Sequence, residues 1–449
     1  MTDLPPTAPA GLPSDGGPVD TNPADLADPR ATTGRRRGGL FHHHDFRQLW
    51  AGDTVSQFGT QLAVLALPVL AVRTLGATEF QMGVLAALET IAFLVIGLPA
   101  GAWVDRWRKR HVLVIGDLVR AVTLLSLPVA WYLDALTLGH MYVVAVVVGV
   151  ATVFFDVAYQ SYLPELVPSD KISEGNAKLQ ASQSVAMVGG PAIAGFLIKA
   201  IGAPLTIVVD ALSFVCSAVF VRRIRTPDSV PDRSARRDLL VEIGEGLGFV
   251  LKNQLLVRIT ACTSISNFFS SMSGALLVLF ALRDLQIDEA TLGIAFAFGS
   301  VGALLGALSA TTAARIVGEG RLIPVSSLLW IPSGVLLPLA GAPLPAVPTL
   351  TVHGFLVSFA IVLYNVTQVS FRQRLCPKPL LGRMNASIRF VVWGTMPIGA
   401  FIGGILGQAY GIRTVLWISV AGAAISALPV LFSPLISMRD MPRELDQHA

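Results

Sequence analysis

Charge is what this sequence is short of. Only 14% of its 449 residues are Asp, Glu, Lys or Arg, while 53% are hydrophobic; a typical soluble domain is about 25% charged. Cysteine is scarcer still. Cys216, Cys262 and Cys376 stand alone with no C-x-x-C spacing, which excludes a disulfide framework and a cysteine-based zinc site. The net charge of +4 comes from basic residues scattered through short loops, with no aromatic-interleaved basic face, so nucleic acid is not an expected partner. Residues 1–45 are rich in Pro, Gly, Ala and Asp and have no apolar core of signal-peptide length. They read as a disordered cytoplasmic tail. The run His42, His43, His44 has no second ligand cluster and reads as an exposed turn, so no metal or other cofactor is expected.

What is present is a series of long apolar runs. A helix needs about 20 mostly apolar residues to cross a bilayer. Twelve runs qualify: 48–73, 80–104, 112–133, 138–163, 176–200 and 203–222, then 255–281, 291–314, 322–341, 347–371, 387–409 and 414–437. They predict an all-α integral membrane protein of twelve transmembrane helices. An N-terminal six-helix half covers 46–222 and a C-terminal half covers 255–437. A cytoplasmic central loop, 223–254, joins them, and a cytoplasmic tail follows at 438–449.

Positive charge sets the orientation, because Lys and Arg accumulate in cytoplasmic loops. With the N-terminus inside, the outer loops hold only Arg73, Lys199, Arg283 and Arg413 of the 33 Lys and Arg residues, and Arg120 and Arg389 lie within spans. Both termini are therefore placed in the cytoplasm, and the protein in the cell membrane.

The halves also resemble each other at a near-constant offset. "DTVSQFGTQ" from Asp53 aligns with "TSISNFFSS" from Thr263 at a shift of 210, and further along the shift is 209. There Asn176 meets Asn385, and Gly190, Gly195 and Gly202 meet Gly399, Gly404 and Gly411. Six spans separate the copies, so they share one orientation. Such a parallel repeat places a binding site near the midplane between the halves.

The stretch "GAWVDRWRKRH" packs its charge between spans two and three. Gly101, Asp105, Arg106, Lys109 and Arg110 resemble the G-x-x-x-D-R-x-G-R-R loop of the major facilitator superfamily, with Arg108 where the pattern has glycine. "VGGPAIAG", with Gly189, Gly190, Pro191 and Gly195, resembles the span-five motif of its drug–proton antiporters. "FFDVAYQSYLPELV" and "EGNAKLQASQSV" are similar to the subgroup of macrolide-efflux proteins and enterobactin-type exporters. The resemblance implies that the loop is a conformational latch. Asp105 would face the positive N-terminal end of span eleven near Asn385, and Arg106 or Arg110 would pair with Glu165. A plainer reading leaves the basic residues to set topology and Asp105 to balance them. The span-five glycines likewise read as helix packing or as a block to leak.

Polar residues inside a membrane are functional candidates. Asp53, Gln57 and Gln61 share one face of span one, and Thr263, Asn267 and Ser271 the matching face of span seven. Thr152, Asp156 and Gln160 make the same stripe on span four, with Asn365 as the repeat partner of Asp156 on span ten. In the superfamily these four spans line the central cavity. Glu89, near mid-bilayer in span two, is the sharpest candidate for a proton site, because its charged form is hardest to solvate there; a hydrogen-bonded structural glutamate is the alternative. Asp117 and Asp210 are placed nearer the interfaces.

The expected function is secondary active export of small amphipathic molecules (drugs, macrolides or secondary metabolites) by alternating access, as a monomeric proton antiporter in the lipid bilayer. Dedicated export of one siderophore or metabolite, uptake, or a non-transporting scaffold or receptor are the alternatives. No nucleophile, metal or phosphate-binding cluster marks an enzyme.

Overall fold

A computed structural model describes residues 40–104, 106–168, 171–227, 239–377 and 380–439. The N-terminal half is built from α1 (His44–Val69), α2 (Glu79–Val95), α3 (Gly97–Val104), α4 (Lys109–Tyr132), α5 (Leu138–Leu166), α6 (Ile172–Ile201) and α7 (Ala203–Arg222). A short amphipathic helix, α8 (Leu239–Lys252), lies in the central connection expected as a loop. The C-terminal half follows as α9 (Gln254–Leu279), α10 (Glu289–Val317), α11 (Glu319–Leu328), α12 (Trp330–Leu339), α13 (Ala346–Leu375), α14 (Leu381–Tyr410) and α15 (Ile412–Leu431).

Among the described residues, eleven helices are long and apolar enough to cross a membrane. The expected second span, 80–104, is not among them and is interrupted at Ile96 into α2, of 17 residues, and α3, of 8, while the ninth, interrupted at Leu329 between α11 and α12, counts as the single run Glu319–Leu339. Pro99 supplies the reason: it has no N–H to donate to the carbonyl four residues back, so α2 cannot continue through it.

The repeat is visible in backbone detail. α1 and α9 each run into a π-helical turn, Leu70–Thr74 and Phe280–Asp284, 210 residues apart. The next helices are capped alike: Thr78 accepts from the Gln81 N–H, and Asp288 accepts from the Thr291 N–H. The Thr291 bond also holds the Asp288 carboxyl below its usual range. Gly202 and Gly411 end α6 and α14 at φ +86° and +82°, a left-handed conformation that favours glycine.

The halves meet where α2 packs on α14 and α6 on α10. A Cβ at Gly83 would strike the backbone of Gly404, and one at Gly195 that of α10 at Glu289 and Gly293. These two crossings are repeat equivalents of each other. Small residues let the backbones approach, and dispersion then holds the helices where lipid offers no hydrophobic drive.

The termini of the described chain correct two expectations. Residues 40–45, assigned to a disordered tail, are folded: Leu40 is buried and its N–H donates to Glu174. Met438 and Arg439, assigned to the C-terminal tail, dock on α11, their carbonyls accepting from the Arg321 and Glu319 N–H groups.

Candidate transport site

A cavity of about 790 Å³ lies between the halves. Asp156 and Gln160 reach it from α5, Thr263 and Asn267 from α9, and Asn365 from α13, so three of the four expected polar stripes face one space. The Asn267 amide donates to the Val392 carbonyl at 3.2 Å, which joins α9 to α14.

Sequence reasoning missed the cationic and aromatic part of the wall. Arg372, Arg389 and Trp393 line the cavity with Phe93 and Thr90. The Arg389 guanidinium lies 4.4 Å from the Trp393 ring centre and reaches Gln160 at 3.5 Å. Phe93 meets Trp393 edge-on at 4.8 Å, across the α2–α14 contact. Arg389 had been legible as an intramembrane cation, but the helix face it occupies had not been traced, and Arg372 had been placed just beyond span ten.

The stripe on span one does not reach this wall. Asp53 is buried inside the N-terminal half, 3.5 Å from the Gln57 amide, and Gln61 packs against Gly190 of α6. Glu89, on α2, does not line this cavity. Its backbone carbonyl meets Gly149 of α5, its half-buried side chain has no hydrogen-bond or ion-pair partner among the described residues, and the adjacent Thr90 lines the cavity. One residue turns a helix by about 100°, so the neighbour takes the cavity face.

The latch region is different in its pairing. Asp105 lies outside the described residues. Glu165 pairs with Lys109 at 2.5 Å, and the Arg110 guanidinium donates to the Ile224 carbonyl at 2.7 Å, so the expected Arg106 or Arg110 partnership with Glu165 is replaced. Lys109 is the better placed because it opens α4 and also donates to the Ser161 carbonyl, one turn before Glu165 on α5. Gly101 lies in α3 with open space around it. Of the span-five motif, Gly195 and Pro191 touch Gly293 across the halves, Gly190 packs on Gln61, and Gly189 lies near Phe58.

Behind Asp156 sits a charged cluster that sequence reasoning had dispersed. Arg120 donates to Asp117 at 2.5 Å, and its guanidinium lies 4.1 Å from the Phe155 ring centre and 4.2 Å from that of Phe214. Asp156 and Asp210 act on the same guanidinium, while Asp53 and Tyr159 stand beside each other next to Asp117 and Asp156. The i, i+3 pair Asp117–Arg120 was the available signal.

The opposite end of the bundle is tied by ion pairs across the halves. Arg73 reaches Glu289 at 2.8 Å, and Arg283 reaches Glu79 at 3.4 Å and the Ala77 carbonyl at 2.8 Å. Arg73 and Arg283 are repeat equivalents, as are Glu79 and Glu289, so the two pairs form a crossed clasp. Lys199 adds a pair with Asp288 at 3.4 Å.

The model of one protein family, described as transmembrane secretion effector, matches residues 39–448. The chain belongs to this family. It is an all-helical membrane transporter of the major facilitator type, as the loop resemblance implied. It is 26% identical over 366 residues to the multidrug efflux pump Tap of Mycolicibacterium fortuitum, covering 79% of this chain and 87% of that protein. It is 22% identical to macrolide efflux protein A of Streptococcus pyogenes, over 87% of this chain and 96% of that one. Among solved structures, a mutant of the nucleoside transporter NupG superposes with a TM-score of 0.73 at 13% identity, over 87% of this chain and 100% of that one. A bacterial homologue of the iron transporter ferroportin, in an inward-facing state, gives 0.69 at 16% identity, over 88% and 99%. At these identities the structural likeness concerns the fold.

Proposed function

We infer that this protein exports small amphipathic molecules from the cytoplasm by alternating access, driven by proton entry. The cavity between the halves carries the reading. Its volume suits a drug-sized molecule, since ligand pockets run to about 300–1,000 Å³, and its wall combines aromatic faces, amides and charges of both signs. With both termini inside, the crossed clasp is at the outer end and the cavity is the loading state. The drug and macrolide efflux relatives support the direction and the substrate class.

Cells lacking their own efflux pumps and expressing this chain should accumulate less labelled erythromycin or ethidium than vector controls, and a protonophore should abolish the difference. Equal accumulation, with the protein shown to be in the membrane, removes the export reading. The orientation has its own test. In a background with Cys216, Cys262 and Cys376 replaced, single cysteines at Thr137 and Pro345 should label in intact cells, and one at Ser173 only after permeabilisation. External labelling at Ser173 would invert the assignment and put the clasp inside.

A narrower reading, a dedicated exporter of one acidic metabolite, draws on Arg372 and Arg389, which outnumber Asp156 among the charges of the cavity wall. Stronger inhibition of efflux by carboxylate-bearing amphiphiles than by cationic dyes would favour it.

A further inference from the structure

We propose that Arg120 and the carboxylates around it, Asp53, Asp117, Asp156 and Asp210, form the coupling-proton site, with Asp156 as its mouth on the cavity. This rests on the transport reading above and says where its driving ion binds.

The cluster draws one element from each neighbouring helix: Asp53 with Gln57 on α1, Asp117 and Arg120 on α4, Asp156 and Tyr159 on α5, Asp210 with Ser213 and Ser217 on α7. Among the described residues of the C-terminal half, only Arg389 acts on it, through Asp156. Asp53, Asp117, Arg120 and Asp210 are buried, while Asp156 is half-buried and lines the cavity. One guanidinium acts on three carboxyl groups, those of Asp117, Asp156 and Asp210, and Asp53 stands beside Asp117 and Asp156. Charge balance in so dry a place leaves room for protons among them, and Asp117 Oδ2 and Asp210 Oδ2 are buried with no hydrogen-bond partner among the described residues. The cation itself is fixed between two aromatic faces, where a guanidinium stacks well.

The repeat shows that the fold does not require these charges. At the equivalent places the C-terminal half carries Thr263 for Asp53, Ser327 for Asp117, Trp330 for Arg120, Asn365 for Asp156 and Ser419 for Asp210. Trp330 meets Tyr364 edge-on at 4.9 Å, as Arg120 meets Phe155 in the other half. The backbone spacing has been exchanged to match. Gly59 leaves space for the Ser213 hydroxyl and the Asp210 carboxylate, whereas its counterpart Phe269 fills that space against Gly422. A neutral, aromatic interior holds one half together, so an ionised interior in the other needs a cause beyond packing.

With the clasp open and the cavity facing outward, an entering proton reaches an Asp156 oxygen first. Neutralising Asp156 removes one of the anions acting on Arg120 and leaves the guanidinium to Asp117 and Asp210, on α4 and α7. Arg120 is thus a positioning residue: it ties the charge of the cavity wall to the packing of those helices. Release on the other side returns Asp156 to the anion.

The test uses the full chain in liposomes with labelled erythromycin, in counterflow and under an imposed pH gradient, together with infrared spectra that need no substrate. Asp117→Asn and Arg120→Gln should keep counterflow within about twofold and lose about tenfold or more of the acceleration by the gradient. Arg120→Lys, which keeps the charge, should retain part of the acceleration with a displaced pH profile. Wild type moved from acidic to alkaline buffer should lose a slowly exchanging protonated-carboxyl band, and Asp156→Asn or Asp210→Asn should diminish that band. Equal losses in both transport modes for every variant would assign Arg120 to packing alone and overturn the proposal. Variants with the full gradient response would overturn it too, as would a wild-type spectrum without the band. A wild type that shows the band yet ignores the gradient would instead remove proton drive from the transport reading and leave the proton site standing.

Discussion

Thr90 and Glu89 are adjacent, and only the threonine lines the cavity. A helical face is legible in sequence to within a residue or so, and that margin decides which of two neighbours touches a substrate. Depth along the helix was a sound guide to the cost of a charge, but phase around it decided the contact. Glu89→Gln should therefore leave both counterflow and the gradient response close to wild type, whereas Asp156→Asn should lose the gradient response. Measuring both variants in the same liposome assay checks this; loss of gradient response in Glu89→Gln alone would return the coupling role to α2. The same limit hid Arg120. Its place within span three was plain, but a single helix does not reveal that Asp156 and Asp210 converge on it from two others, with Asp53 beside Asp117 and Asp156.

At the scale of elements, most of the architecture was legible, because bilayer thickness and a strict glycine register leave few alternatives. The repeat offsets forecast the paired glycine ends of α6 and α14. They did not forecast which glycines touch across the halves, since that depends on how the copies are docked. Gly83 on Gly404, and Gly195 on Gly293, set the closest approach at the clasped end. Gly83→Val would force α2 and α14 apart, a misfit of about 1–3 kcal/mol where the halves are closed and little where they are open. The variant should insert normally and favour the open-outside state. A thiol probe applied from outside should then label a cysteine at Asn267 in the cavity several-fold faster than in the Gly83 protein; unchanged labelling would mean that the crossing is not what limits closure.

For the whole molecule, the alternating access proposed above makes the balance between cavity and clasp a two-state equilibrium that few contacts would control. Each clasp pair is partly exposed, with Arg73 and Glu289 side chains 48% and 19% accessible. Such pairs contribute about 0–1 kcal/mol each, so losing one shifts the state populations by a factor of about five at most, and losing both crossed pairs by about thirtyfold at most. Their crossed symmetry makes the test specific. Arg73→Glu should place two carboxylates opposite each other and open the outer end, while Arg73→Glu with Glu289→Arg should close it again. Spin labels at Ala135 and Ala342, on loops of opposite halves, should report a longer distance population in the single variant that the double variant removes. Screening gives a second signature: raising salt should favour the long distance in wild type and leave a variant with Arg73, Glu79, Arg283 and Glu289 all neutral unaffected. If the double variant stays open, the pairs follow closure rather than stabilise it, and the glycine crossings carry the outer seal alone.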